Sequence, residues 1–462
     1  MGVKQIFLAA IVTATLSPFA GQQAKAESLS DAMASAYTHS GLLEQNRALL
    51  RAADENVAQA AAAMRPVLGW LTNYQRTFSS GSVTSASNTA NVGLTLSWLL
   101  GDSGASKALM AAQEQTVMAT RQSLLSVEQA VLLSAVQAFM DVRQHSEIVS
   151  LRQNNLRLIT RELRAAKDRF DVGEVTRTDV ALAEARLAGA RAELGVAQGN
   201  LMQAQESYKA VVGRAHGVLT PPSRLPYTSK TLDQAKAVAV RTHPDMLGAQ
   251  YSVAAAEHLV RRAEAGMLPT INLSANVTAT ENLSSNSNRQ TGSITFGTSG
   301  PIYQGGRLSS ALRQTMAQRD AARGALHAQR HTVRLGVGSA WALALSSRAQ
   351  REASTRQIRA ARIAFDGVRE EAKLGARTTL DVLNAEQELL DAQANQISAV
   401  SREFVAAYRL LAAMGLLNVD HLNLAVEKYD PEAYYKKVKT APAILSKRGR
   451  QLDKVLRSIG KE

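Results

Sequence analysis

Two stretches of the chain decide its fold: Val172-Gly173-Glu174-Val175-Thr176-Arg177-Thr178-Asp179-Val180, and Leu374-Gly375-Ala376-Arg377-Thr378-Thr379-Leu380-Asp381-Val382, which begins 202 positions later. Matches continue outward at nearly the same spacing. Downstream, Ala183-Glu184-Ala185 answers Ala385-Glu386-Gln387, Leu187 answers Leu389, and Gly213 answers Gly415. Upstream, Leu29 and Ala32 answer Leu232 and Ala235, and Met64 and Pro66 answer Met267 and Pro269. Any one match could be chance; a near-constant offset across a whole unit is a repeat. The chain reads as a leader over 1–26, one unit over 27–213, a second over 214–415, and a basic tail over 416–462.

The leader has Lys4, an apolar run from Ile6 to Leu16, and Ala24-Lys25-Ala26, the pattern of a secretory signal peptide cut after Ala26. Removing it lowers the formal charge from +14 to +12, since Lys4 and Lys25 go. The 462 residues hold no cysteine, which excludes disulfides, thiolate chemistry and a lipidated N-terminal Cys. With 45% hydrophobic residues the chain is not disordered. Proline is absent from 67–220 and from 302–430.

Each unit reads helix, strand, strand, very long helix, turn, helix. In the first, residues 28–64 are Ala-rich and helical up to Pro66. Leu68, Trp70, Tyr74 and Phe78 then share one face of a strand, with Asn73, Gln75 and Thr77 on the other. Residues 79–91 read as a polar loop. Val92, Leu94, Leu96, Trp98 and Leu100 alternate with Gly93, Thr95 and Ser97. In the second unit, Ile271, Leu273, Ala275 and Val277 oppose Asn272, Ser274, Asn276 and Thr278; after a loop from about Glu281 to Arg289, Ile294 and Phe296 oppose Ser293 and Thr295. Period-two segments of about ten residues suit a transmembrane barrel. A half-buried soluble sheet gives the same alternation.

The helices discriminate. Residues 105–172 contain neither Gly nor Pro, and a helix of that length would span about 100 Å. Apolar residues recur every seven positions, as in Met118, Leu125, Leu132 and Phe139, and in Ala135, Val142, Val149, Leu156, Leu163 and Phe170. That period indicates side-by-side coiled-coil packing. Gly173 ends the helix and 179–212 runs back. The second unit repeats this through 307–373, Gly375 and 381–413, with Gly324, Gly336, Gly338 and Gly367 weakening its long helix.

Four strands cannot close a barrel, since the smallest membrane barrels have about eight. An open edge cannot face lipid, where its backbone groups would lack partners. Several copies must therefore share one barrel, with their helices leaving the same end as a tube. The fold class expected is mainly α with a small β part: a long coiled-coil α-helical barrel plus a shared transmembrane β-barrel.

The repeat, Pro301-Ile302-Tyr303-Gln304-Gly305-Gly306 at the strand-to-helix junction, and Leu374-Gly375-Ala376-Arg377-Thr378 followed by Asp381-Val382-Leu383-Asn384-Ala385 resemble the TolC family of outer-membrane efflux proteins. The resemblance covers 27–415. It implies a homotrimer with a 12-stranded barrel in outer-membrane lipid and a helical tunnel in the periplasm. It also implies docking to a periplasmic adaptor (membrane fusion) protein and an inner-membrane RND or ABC transporter. The missing Cys fits the non-lipidated branch.

By that resemblance the hairpin turns form the tunnel's periplasmic mouth, closed by charged and hydrogen-bonding residues. Carried over by position, the gate residues are Asp179, Thr178, Arg377 and Asp381. An Arg–carboxylate latch between neighbouring helices is charge-assisted, and an acidic ring favours cations. The family's latch tyrosine falls here on Ala372 and its second acidic ring position on Asn384, which weakens or rewires the gate. Arg377 and Asp179 would alternatively only cap and solubilise helix ends.

No catalytic, cofactor or metal site is expected. His327 and His331 lie i, i+4 but lack the intervening Glu of H-E-x-x-H. The tail, with Lys436, Lys437, Lys439, Lys447, Arg448 and Arg450, reads as a solvated periplasmic extension, or else as a surface for acidic partners; nucleic acid does not fit export. The function expected is a passive duct for drugs, detergents or a secreted polypeptide. The competing reading is a periplasmic coiled-coil adaptor or scaffold without a pore, with a secreted enzyme third.

Overall fold

The computed structural model describes residues 26–79, 85–222, 224–444 and 446–459. The expected leader, apart from Ala26, lies outside them, as do residues 80–84 of the expected loop. The first unit comprises β1 (Ala26–Glu27), α1 (Leu29–His39), α2 (Gly41–Ala62), β2 (Val67–Ser79), β3 (Ser85–Gly101), α3 (Ala105–Asp171) and α4 (Arg177–Val212). The second comprises β4 (Val218–Leu219), α5 (Leu232–Thr242), α6 (Pro244–Ala265), β5 (Thr270–Asn282), β6 (Ser287–Ser299), α7 (Arg307–Lys373) and α8 (Thr379–Ala413). Three short helices follow: α9 (Val419–Leu422), α10 (Pro431–Val438) and α11 (Lys447–Ile459). The order of elements repeats, and the two long helices are both 67 residues.

The helix expected over 28–64 is two helices. Ser40 takes an extended conformation and its hydroxyl accepts from Leu43 N at 3.3 Å, so it caps α2 rather than continuing α1. In the second unit His243, followed by Pro244, makes the same break.

The four long strands form one antiparallel sheet in the order β2-β3-β5-β6. Its register sorts the side chains into two faces. Leu68, Leu96, Ala275 and Ile294 lie in one row, and Trp70, Leu94 and Val277 in the next. On the opposite face Gly69, Thr95, Asn276 and Ser293 share a row, as do Asn73, Asn91, Thr280 and Arg289. The apolar face is bare in the single chain: Trp70 is 76% exposed, Ile294 80% and Phe296 70%. Gly93 is required, because a Cβ there would stand 2.9 Å from the Val277 carbonyl of the neighbouring strand. The polar loop expected over 79–91 is shorter than its composition suggests. Residues 85–91 pair with 73–79 through the backbone, and a ladder does not require apolar side chains.

The helices build the rest. α3 packs against α4, α6 and α2, and α7 against α8 and α6. The glycines do not break α7, which runs from Arg307 to Lys373. Each glycine costs about 1 kcal/mol relative to alanine, and burial of Val333, Val337 and Ala340 offsets this. In α3 the buried seam runs Val117, Leu124, Val131 and Ala138, one residue ahead of the expected series, of which Leu132 and Phe139 are also fully buried. One window of α3 reaches the hydropathy of a membrane span, but 56% of it is buried inside the chain, as in a core helix.

The main core joins Met33, Leu43, Leu50, Leu132, Phe139, Tyr208, Leu411 and Leu417. Glu27 closes its edge. Its carboxylate is buried and accepts from Tyr208 Oη at 2.7 Å, Arg214 Nη2 at 2.7 Å and Gly217 N at 3.0 Å. The tail is not a solvated extension over its whole length. Leu417, Val419, Leu424 and Val438 are buried, and α10 packs on α2.

Candidate functional site: the hairpin turns

Both long helices end alike. Gly173 and Gly375 take φ of +80°, a left-handed conformation that costs glycine nothing. Behind them, Glu174 N donates to Arg169 O and Ala376 N to Glu371 O, each at 2.9 Å, which closes the last helical turn. The returning helices start with matched capping boxes. Thr176 N and Oγ1 donate to Asp179 Oδ2 at 2.9 and 2.7 Å, and Asp179 N donates back to Thr176 Oγ1. Thr378 and Asp381 repeat this at 3.0 and 2.8 Å.

Those bonds hold both carboxyls below the usual range. Asp179 and Asp381 thus stay ionised at neutral pH at the two turns. Arg377 Nε donates to Glu371 Oε2 at 2.8 Å, a bond that raises the guanidinium's affinity for its proton. Lys373 pairs with Glu370 at 2.6 Å.

Each turn is therefore satisfied within itself. Thr178, expected at the gate, is the exposed second residue of α4; the hydroxyl equivalent to that of Thr378 belongs to Thr176. Arg377 lies near Asp381, whose charge adds to its pKa shift, but its hydrogen bond goes to Glu371. Asp179 does not meet Arg377 within the chain, among the described residues.

Two features escaped sequence reading. Arg186 Nη2 on α4 donates to Asn384 Oδ1 on α8 at 2.8 Å, joining the two hairpins just above their turns. Behind it, Glu386 is buried, with no hydrogen-bond partner for Oε1 among the described residues. It lines a cleft of about 410 Å³ with Asn155, Leu158, Arg161, Phe365 and Gln393, among others. Burial, and then the charge of Glu162, raise its carboxyl to about 7. Asn384 and Glu386 were visible beside Asp381, but the partner Arg186 lies 198 positions away on another hairpin.

A strand sheet with one apolar and one polar face, continued by helical hairpins, is the geometry of a membrane duct, and comparison decides the family. The outer membrane efflux protein family matches residues 33–214 and 238–416, one stretch per unit. The chain belongs to this family. It is 39% identical over 434 residues to the outer membrane efflux protein BepC of Brucella suis biovar 1, covering 94% of this chain and 95% of that one. It is 25% identical over 390 residues to the outer membrane protein TolC of Escherichia coli K12, covering 80% and 78%. The fold superposes on CusC with a TM-score of 0.75 at 19% identity, over 84% of this chain and 92% of that one. As a member of this family the protein is an outer-membrane export channel component that extends into the periplasm, and it is not an enzyme.

Proposed function

We propose that three copies form one passive export duct. The observation that carries this reading is the sheet itself. Among the described residues its edge strands β2 and β6 each have one unpaired side, and one of its two faces is apolar and exposed. Neither edge is tolerable in lipid, and closure with further copies satisfies both. Three copies supply twelve strands, within the range of outer-membrane barrels. The polar rows through Asn73, Asn276 and Ser293 then line the lumen. The hairpins run down into the periplasm and end in the four gate residues proposed above, Asp179, Thr178, Arg377 and Asp381. A ring of ionised Asp381 carboxylates at the mouth favours cations.

Energy comes from an inner-membrane RND or ABC transporter through a periplasmic adaptor that engages the turns and opens them. BepC is named an efflux protein, whereas the 23% identical AprF of Pseudomonas aeruginosa is named an alkaline protease secretion protein, so both cargo classes occur among relatives. The test is reconstitution of the purified protein into planar bilayers. Discrete, cation-preferring channels from a heat-modifiable trimer support the reading; a soluble monomer without conductance overturns it. In a deletion strain, hypersensitivity to dyes and detergents assigns efflux, and loss of one exported polypeptide assigns secretion.

A further inference from the structure

The C-terminal segment climbs the outside of the molecule toward the barrel. Val419 N donates to Glu128 Oε1 at 2.7 Å, Glu432 pairs with Arg121 at 3.7 Å, and Tyr435 Oη donates to Glu114 at 3.1 Å. Those α3 partners lie successively nearer the strands. The climb ends where Arg65 donates to Thr440 O and, at 2.8 Å, to Ala441 O. Arg65 stands two residues before β2. Beside it, Trp98, on the apolar face of the sheet, donates Nε1 to Met64 O at 3.2 Å. A tryptophan on the lipid-facing side of a barrel, near its end, marks the membrane–water boundary. The chain is thus delivered to the periplasmic rim of the barrel immediately before α11.

α11 is two-faced. Leu452, Val455 and Leu456 follow helical spacing along one side, and Lys447, Arg450, Lys454 and Arg457 lie round the other. Asp453 is the single acid among its thirteen residues. Arg448 falls within the apolar arc at the first turn; it donates to Lys436 O at 2.9 Å and ties the start of the helix to α10. A basic amphipathic helix held at a membrane boundary is built to lie in the headgroup layer.

We propose that α11 lies on the periplasmic leaflet of the outer membrane and binds its anionic phospholipids through Lys447, Arg450, Lys454 and Arg457. The inference rests on the outer-membrane placement of the sheet. It makes the tail a lipid-sensing collar around the barrel rim rather than part of the duct. Its attraction fades over a Debye length and weakens with salt.

The cysteine-free chain allows a direct test. The full-length Leu456→Cys protein, labelled with a polarity-sensitive fluorophore, is placed in nanodiscs of phosphatidylcholine alone or with one part in three phosphatidylglycerol. Bromine-substituted acyl chains serve as quencher. The proposal expects a blue-shifted emission and several-fold stronger quenching with phosphatidylglycerol. Both should be lost at high salt and in the Lys447→Gln, Arg450→Gln, Lys454→Gln, Arg457→Gln variant, which should still enter nanodiscs as the wild type does. Quenching that is equal in the two lipids, or absent from both, overturns it. A protein that fails to enter nanodiscs at all contradicts the barrel placement instead, so the two failures are distinguishable.

Discussion

Arg186 and Asn384 are hydrogen-bonded at 2.8 Å across the gap between α4 and α8, so a charge-assisted bond ties the two hairpins of one chain near their free ends, below the Arg152–Asp391 ion pair that links them further up. If the mouth opens by spreading the hairpins, this tie opposes it. Arg186→Ala and Asn384→Ala should each favour the open form by about fivefold per copy, the effect of a bond contributing about 1 kcal/mol. Single-channel recording should show larger or longer openings in both, and the double variant should add nothing further. Additive effects would show that the residues act separately.

Arg377→Ala removes the bond to Glu371 and a positive charge beside Asp381, the residue proposed to ring the mouth. Higher conductance and stronger cation preference are expected in planar bilayers. An unchanged conductance would remove Arg377 from the gate and leave it a helix-end residue.

Glu386 sets a pH dependence whose sign follows from its burial. Its carboxyl is raised from an ordinary 4.5 to about 7. Over that interval the folded chain keeps a proton that the unfolded chain has lost. Its contribution is present below about 4.5 and is lost as the pH rises through 7. Asp54, buried and raised to about 6, adds a slope of the same sign. Glu386→Gln should stabilise the protein at pH 8 by about 1 kcal/mol once solvent screening is allowed for. It should also flatten the rise of melting temperature between pH 8 and 5, read by thermal unfolding in detergent.

Gly173 and Gly213 both take positive φ, yet their replacement by alanine should differ. Around Gly173 a Cβ meets none of the described residues within 4 Å, so Gly173→Ala should cost about 1 kcal/mol of backbone strain. At Gly213 the Cβ would sit 2.3 Å from the His39 ring, so Gly213→Ala adds overpacking of about 1–3 kcal/mol. Melting temperature and membrane yield should fall further for Gly213→Ala.

The features legible in the sequence were those governed by local periodicity. Alternation from Val92 to Leu100 set the apolar face of the sheet, and the freedom of 105–172 from Gly and Pro set the long helix. Features decided by a single side chain were hidden. Ser40 is tolerable inside a helix, and only its bond to Leu43 N makes it a cap. Thr176 and Thr178 are the same residue two positions apart, and the capping geometry alone separates them. Strand pairing at 85–91 depends on backbone and left no apolar trace. In the tail, lysines suggested solvent, while Tyr434, Tyr435 and Val438 dock it; Tyr434 donates to Glu55 at 2.6 Å.

The repeat also fixes how copies should join. Within the chain, Leu94 of β3 faces Val277 of β5, and Gly93 faces Thr278. The repeat carries Leu94 onto Phe296 and Val277 onto Tyr74, and likewise Gly93 onto Thr295 and Thr278 onto Gln75. Phe296 of one copy is therefore expected opposite Tyr74 of the next, and Thr295 opposite Gln75. Because the chain has no native cysteine, the most direct measurement is oxidative cross-linking of paired cysteines in outer membranes. Phe296→Cys with Tyr74→Cys, or Thr295→Cys with Gln75→Cys, should give a covalent species of three chains on a denaturing gel, while Phe296→Cys with Thr72→Cys, two residues out of step, should give little. Monomers throughout, or equal linking from the mismatched pair, would contradict a barrel closed by β6 of one copy against β2 of the next.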